Sequence, residues 1–385
     1  MTSQQGKPLR TFGDLDPSAL FERGDVYRVA YDPVRASLPV VRLAILGAGG
    51  VAQARHLPAI HQLQSWWEPV QVVGMSIRDE PPRSHLAEAW RIPAFASVEQ
   101  LLQETSPDAV IVTSSDAAHA EQTLAALEAG CHVLVEKPIA TSLVDAERMS
   151  RLSETKGRIF GTVANKRYSP PYVEAKRLID SGSLETPRLL AGKFTLGYDY
   201  LDLLDDATIH LLDLARFFMG DVSQILAASP QMNYEDSLNV VRAHDVAITL
   251  RYKSGALGTL LTSANATSLH PWERIEIYGR HSWIEVNDQR SVSFYPSEYE
   301  PARTWEHIMP STLFTAAEWG GFVGLIKDFL DAVRGSTMKG TDTWDGYRAY
   351  ELATAARLSL LRGESVNLPL DAAGADSEVG PYRST

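Results

Sequence analysis

From Val40 onward the chain alternates short, mainly apolar runs with stretches of helical spacing, and that texture confines it to a small set of folds. VVRLAIL (40–46), VQVVGMSI (70–77), AVIVTS (109–114) and HVLVEK (132–137) read as strands. A strand with one wet face alternates polar and apolar residues, whereas a strand of a parallel sheet is covered by helices on both faces and reads as a near-continuous apolar run. Between these runs, QARHLPAIHQL, PRSHLAEAW, SVEQLLQET and HAEQTLAALEAG carry helical spacing, the last closing on Gly130, where a C-cap favours glycine. The series predicts a doubly wound parallel sheet. A helix over about 142–156 and the strand RIFGTVAN (158–165) extend it to about six strands.

After Pro170 the pattern changes to a helix, YVEAKRLIDSG, and then to period-two alternation. VAITLRYKSGALGTLLTS predicts a hairpin turning at Lys253-Ser254-Gly255, and RIEIYGRHSWIEV a second one at Gly279-Arg280. Helices return near 203–219, 321–334 and 344–362. The fold class is therefore α/β: a Rossmann-type parallel domain over 40–165, then an α+β domain with a mainly antiparallel sheet over 166–366. Residues 1–39, broken by Pro8, Pro17, Pro33 and Pro39, read as an N-terminal arm, and 367–385 as a C-terminal tail.

A net charge of -12 provides no basic face to displace counterions from phosphates, which disfavours nucleic acid as a partner and favours a small ligand. Cys131 is the single cysteine, so no intrachain disulfide forms and the cytoplasm is the expected compartment. The N-terminus lacks an apolar signal core, and no run of about 18 apolar residues occurs, so no membrane association is expected.

GAGGVA at 47–52 follows the first strand and opens a helix, giving G-x-G-x-x-A with Gly47, Gly49 and Ala52 at the small positions. The first glycine permits the tight turn, the second lets a pyrophosphate approach the backbone, and Ala52 lets the helix sit close to its strand with amides facing the phosphates. A glycine-rich turn also arises for steric reasons alone, so the βαβ series that follows is what gives the motif weight. Gly50 and Val51 complete the cofactor loop. Thr113 and Ser114 at the end of the third run, His119 at the head of the next helix, Glu136 and Lys137 are assigned to the same cofactor, with helix capping the alternative for His119. The second strand ends Ser76-Ile77-Arg78-Asp79, with Ile77 where an NAD-specific acid is expected. Ser76 and Arg78 suit the 2'-phosphate of NADP, so NADP is expected over NAD, while a shift of one residue gives the ribose-binding role to Asp79.

Glu136-Lys137-Pro138 closes the fourth run at the carboxyl edge of the sheet, where open α/β sheets bind ligands. An ammonium beside a carboxylate and a cofactor there suits proton transfer, although a strand-end lysine paired with Glu136 is the simpler alternative. In Asp205-Asp206-Ala207-Thr208-Ile209-His210-Leu211-Leu212-Asp213, Asp206 and His210 stand four apart on one helical face. They are candidates to reach one substrate together. No second His or Cys cluster accompanies them, so no metal site is expected. His56, Trp66 and Trp67 read as packing residues.

GAGGVAQARHLPAI, HAEQTLAALEAGCHVLVEKPIA, Asn165-Lys166-Arg167-Tyr168 and the D-x-x-x-H of Asp206 to His210 together resemble the glucose-fructose oxidoreductase, inositol dehydrogenase and MocA (Gfo/Idh/MocA) family over about residues 41–366. The resemblance implies an open C-terminal sheet that mediates homo-oligomer contacts, as a dimer or tetramer. It implies Lys137 as the catalytic lysine, Asp206 as its partner and His210 as the proton-transferring histidine. Asn165, Arg167 and Tyr168 resemble positions lining the substrate cleft, beside Asp206 and His210. Packing between the domains is the alternative for Arg167 and Tyr168. Tyr198, Asp199, Tyr200 and Asp202 have a composition suited to polyhydroxylated rings and equally common in loops. The sequence departs from the family at Thr208, where glycine is usual, and at Ile77.

The expected activity is hydride transfer between nicotinamide and a carbinol or carbonyl carbon of a sugar, cyclitol or related polyol. Two alternatives remain: a sugar-modifying enzyme using transient redox with retained NAD(P), and a non-catalytic dinucleotide-binding protein.

Overall fold

The computed structural model describes residues 32–195, 202–230, 232–235, 240–266, 271–306 and 320–380. Most of the expected arm and the segment Tyr198, Asp199, Tyr200 lie outside the described residues. The first sheet contains β1 (Val41–Leu46), β2 (Val70–Ser76), β3 (Ala94–Phe95), β4 (Ala109–Val112), β5 (His132–Val135) and β6 (Phe160–Thr162), in the order β3-β2-β1-β4-β5-β6. Every pairing is parallel. Leu43, Val110, Ile111, Val133 and Leu134 are fully buried, as expected of strands covered on both faces. The chain reverses direction across the sheet between β1 and β4, which opens a crevice at their carboxyl ends. β3 is a two-residue strand and escaped the sequence reading because it is too short to show a period.

The second sheet has nine strands: β7 (Leu189–Thr195), β8 (Val222–Ala228), β11 (Asp245–Tyr252), β12 (Leu257–Ser263), β13 (Glu273–Tyr278), β14 (Trp283–Asn287), β15 (Ser291–Tyr295), β16 (Arg303–Glu306) and β17 (Val366–Asn367). β9 (Met232–Glu235) and β10 (Val240–Ala243) form a separate ribbon. The large sheet is antiparallel except where β12 runs parallel to β7. Both expected hairpins form, β11–β12 and β13–β14. One face of the sheet buries Leu250, Leu260, Ile275 and Ile277 against the helices Ile209–Met219 and Asp345–Arg362. The other exposes Leu189, Leu226, Leu257 and Leu261.

The division into a 40–165 domain, a 166–366 domain and a tail is blurred by two returns of the chain. The helix Phe322–Val333 buries Phe322, Ile326 and Phe329 in the same cluster as Leu43, Ile45 and Ile60 of the first domain. Beyond residue 366, the helix Ala372–Val379 places Asp376 where its carboxylate accepts from the Leu143 and Val144 amides, at 2.9 and 3.0 Å. It thereby caps the helix Leu143–Lys156, whose first-turn N–H groups have no partner within the helix.

Candidate active site

The glycine loop sits at the crevice. Gly47 has φ +87°, and a Cβ there would lie 2.6 Å from the Ser114 Cα, so both backbone conformation and close approach to the end of β4 require glycine. Its N–H donates to the Ser76 carbonyl at 3.2 Å and to Ser76 Oγ at 3.1 Å. A Cβ on Gly49 or Gly50 meets nothing within 4 Å, which leaves their backbone open to the crevice, while Ala52 is fully buried against the sheet. A cavity of about 660 Å³ runs from Gly47 and Gly49 past Ile77 and Arg78 to Ser97 and Glu121. Thr113 Oγ1 donates to the Gly47 carbonyl. Ser114 Oγ is buried at the cavity edge with no hydrogen-bond partner among the described residues. An open, glycine-lined loop, an orphaned hydroxyl and exposed amides at a helix start suit a dinucleotide's pyrophosphate.

Several of the side chains expected at the cofactor have partners within the protein. Ser76 is buried where it lines the crevice, and its hydroxyl oxygen accepts from the Gly47 amide, which ties it to the glycine turn. Arg78 stays at the rim, its side chain 89% exposed, with Nε 3.3 Å from Asp79 Oδ1. His119 is fully buried, its Nδ1 2.8 Å from the Pro138 carbonyl and its Nε2 3.2 Å from that of Ser114; it ties the Lys137 loop to β4 and makes no side-chain cap. Glu136 is also buried, accepting from the Lys137 amide at 3.2 Å and lying 2.7 Å from His56 Nε2. His56 therefore has a charged partner and is more than a packing residue.

Lys137 Nζ donates to the Asp206 carbonyl at 3.0 Å and to Asp206 Oδ1 at 3.3 Å, joining the carboxyl edge of the parallel sheet to the second domain. Asp206 lies on a π-helical turn, Leu203–Thr208, that runs directly into the α-helix Ile209–Met219. The simple helical spacing read from the sequence is thus replaced by a wider turn, of a kind concentrated at functional sites. Thr208 is buried and its hydroxyl donates to Thr262 Oγ1 on β12 at 3.0 Å, so this departure from glycine is absorbed by a hydrogen bond. His210 follows within the first turn of the α-helix. Burial, then the charges of Lys166 and Lys137, hold its imidazole well below the usual histidine range. Lys137, Asp206 and His210 are thereby gathered in one region.

Asn165, Arg167 and Tyr168 are placed differently from expectation. Asn165 Nδ2 donates to the Gly320 carbonyl at 2.7 Å. The Arg167 guanidinium forks onto Asp213 at 2.9 and 2.5 Å and donates to Asp345 at 2.8 Å, all three side chains being buried. Tyr168 donates to Asp328 at 2.8 Å. The polar groups of Arg167 and Tyr168 are used on carboxylates within the 166–366 segment, which favours packing over a substrate contact for both. Lys166 was missed: it is buried, pairs with Glu273 and rests against the rings of Phe194 and Trp272 at 4.6 and 5.4 Å. Its only sequence signal was a charge inside a segment otherwise read as cleft lining.

A parallel sheet with a glycine loop at its reversal point, facing a lysine-carboxylate pair delivered by a second domain, defines a two-domain dinucleotide-binding protein of the oxidoreductase class. The chain belongs to the Gfo/Idh/MocA oxidoreductase family. Residues 41–163 match its NAD-binding Rossmann fold, and residues 203–368 its C-terminal alpha/beta domain. Among curated relatives, the chain is 25% identical to a myo-inositol 2-dehydrogenase of Thermotoga maritima, covering 85% of this chain and 98% of that one. It is 24% identical to a D-apiose dehydrogenase of Paraburkholderia graminis, covering 71% and 75%. Among solved structures, a levoglucosan dehydrogenase in complex with NADH and levoglucosan superposes with a TM-score of 0.77 at 18% identity, covering 86% of this chain and 100% of that one.

Proposed function

We propose that this protein transfers hydride reversibly between a nicotinamide dinucleotide and a carbinol or carbonyl carbon of a sugar, cyclitol or related polyol. The observation that carries this reading is the Lys137–Asp206 pair at the carboxyl edge of β5, beside a glycine loop shaped for pyrophosphate. The relatives' names, inositol and apiose dehydrogenases, support the substrate class.

A nicotinamide bound in the crevice supplies the hydride acceptor or donor. Lys137 Nζ has three N–H donors; two point at Asp206, and the third is available to a substrate oxygen. Asp206 holds the ammonium in that orientation. His210 is uncharged because burial and two nearby ammonium groups disfavour its protonation, and in the oxidative direction it, or Lys137 through it, accepts the hydroxyl proton.

For the cofactor, NADP is proposed over NAD. Ile77 provides no carboxylate for a ribose 2'-hydroxyl, and Arg78 is held only by an exposed ion pair worth about 0–1 kcal/mol, which a phosphate displaces readily. Asp79 beside it favours NAD as the second reading. The exposed leucines on the nine-stranded sheet support a homo-oligomer, a dimer or tetramer formed through that face. Among the described residues no helix is long and apolar enough to cross a membrane. With a single buried thiol, Cys131, a cytoplasmic location is proposed.

Titration of NAD and NADP against a panel of cyclitols and sugars, following absorbance of the reduced nicotinamide, tests the reading. Stoichiometric reduction with at least one polyol is expected. Tight dinucleotide binding without reduction by any member contradicts it.

A further inference from the structure

Asp206 is held from behind as well as from the front. Its carboxylate turns Oδ1 toward Lys137, while Oδ2 accepts from the Asp202 amide at 3.1 Å; its own amide donates back to the Asp202 carbonyl at 2.9 Å. Asp202 is therefore the frame on which Asp206 is mounted. That frame is itself pinned. Asp202 Oδ1 caps the π-helical turn by accepting from the Leu204 and Asp205 amides at 3.0 and 3.1 Å, and it also accepts from the Arg357 guanidinium at 3.1 Å. The same Arg357 nitrogen donates to Asp205 Oδ2 at 2.9 Å. Arg357 comes from the middle of the helix Asp345–Arg362, and its side chain is 5% exposed.

The charges around this turn explain why an arginine is needed. Asp202, Asp205 and Asp206 lie within one turn, Asp116 faces them from the head of the helix Asp116–Glu128, and Tyr350 approaches from the same helix as Arg357. Lys137 reaches the group from the front only. Without a buried cation behind, three carboxylates on one turn repel each other, and a carboxylate with a free χ2 has no single orientation. An arginine serves two acceptors at once because its donors form a rigid fork.

We propose that Arg357 is a positioning residue for the Lys137–Asp206 pair, acting through Asp202. The inference rests on the reading of Lys137 as the proton-handling group, but the positioning is measurable without any substrate. The test is the rate at which acetic anhydride modifies Lys137 in the full-length protein at a fixed pH, resolved by peptide mass spectrometry. Lys166, buried and paired with Glu273 rather than with Asp206, serves as the internal control. In Arg357→Met, Lys137 is expected to label about tenfold faster while Lys166 is unchanged, as the loss of hydrogen bonds to a charged group predicts. Arg357→Lys, which keeps the charge, should restore much of the protection. If Arg357→Met also exposes Lys166, the domain has loosened as a whole and the Asp202→Ala variant decides, since it leaves the Arg357–Asp205 pair in place. Selective exposure of Lys137 in Asp202→Ala supports the proposal. Protection of Lys137 equal to that of the parent in the folded variants overturns it. A protein that passes this test yet reduces no nicotinamide with any polyol refutes the functional reading alone.

Discussion

His56 Nε2 lies 2.7 Å from Glu136 Oε1, with both side chains buried directly behind Lys137. Burial alone would push the Glu136 carboxyl up, but the His56 hydrogen bond and the charges of His56, Lys137 and His119 together hold it below the usual carboxylate range. A group whose carboxylate is favoured in the fold contributes stability above its unfolded pKa and loses it as pH falls. His56→Leu is therefore expected to destabilise the protein by about 3 kcal/mol at neutral pH, and by less once the pH drops below about 4. Urea unfolding at several pH values measures this; a cost independent of pH would show that the pair carries no charge-dependent stability.

His210 is held uncharged by burial first and by Lys166 and Lys137 second. The unfolded chain protonates this imidazole below about pH 6.5, and the folded protein resists doing so, so stability is lost as pH falls through that range. Nitrogen-15 NMR of the imidazole should show a neutral ring at pH 6. Titration at the usual histidine value would remove His210 from the proton-accepting role.

Asp205 behaves in the opposite sense. Burial, with repulsion from Asp202, Asp206 and Asp116, outweighs the attraction of Arg357 and pushes its carboxyl up to about 7. The folded state then keeps a proton that the unfolded state releases near pH 4, so stability falls as pH rises between these values, by up to about 1.4 kcal/mol per pH unit. Asp205→Asn should flatten that slope in a series of unfolding curves. An unchanged slope in the variant would assign the pH dependence to other groups.

Among the described residues Arg78 is the one arginine lining the dinucleotide crevice, next to Ile77. Arg78→Ala is expected to weaken NADP binding by about tenfold or more, with little effect on NAD, as loss of a phosphate-binding fork predicts. Calorimetric titration of both dinucleotides measures the difference. Equal losses for the two would return the ribose contact to Asp79.

The parts of the fold carried by local pattern were legible. Buried parallel strands, the Gly47 turn and the hairpins at Lys253-Ser254-Gly255 and Gly279-Arg280 each have a cause within a few residues. What escaped depends on distant partners. Arg167 looked like a cleft residue because Asp213 and Asp345 are 46 and 178 positions away, and Lys166 was missed because Glu273 is 107 away. The π-helical turn at Leu203–Thr208 was invisible because nothing in its composition distinguishes it from an α-helix; it is held by Asp202 and Arg357. The pairing of Lys137 with Asp206 was anticipated only through resemblance, since spacing alone does not bring residues 69 positions apart together.

The central claim is that Lys137 handles the proton while the glycine loop separately holds the dinucleotide. Lys137→Met tests both halves at once, by turnover with the best polyol of the panel and by dinucleotide affinity. The account predicts a loss of about 10²- to 10⁴-fold in kcat with dinucleotide binding close to the parent's. Turnover near the parent level, in a variant that still binds the cofactor, would contradict it.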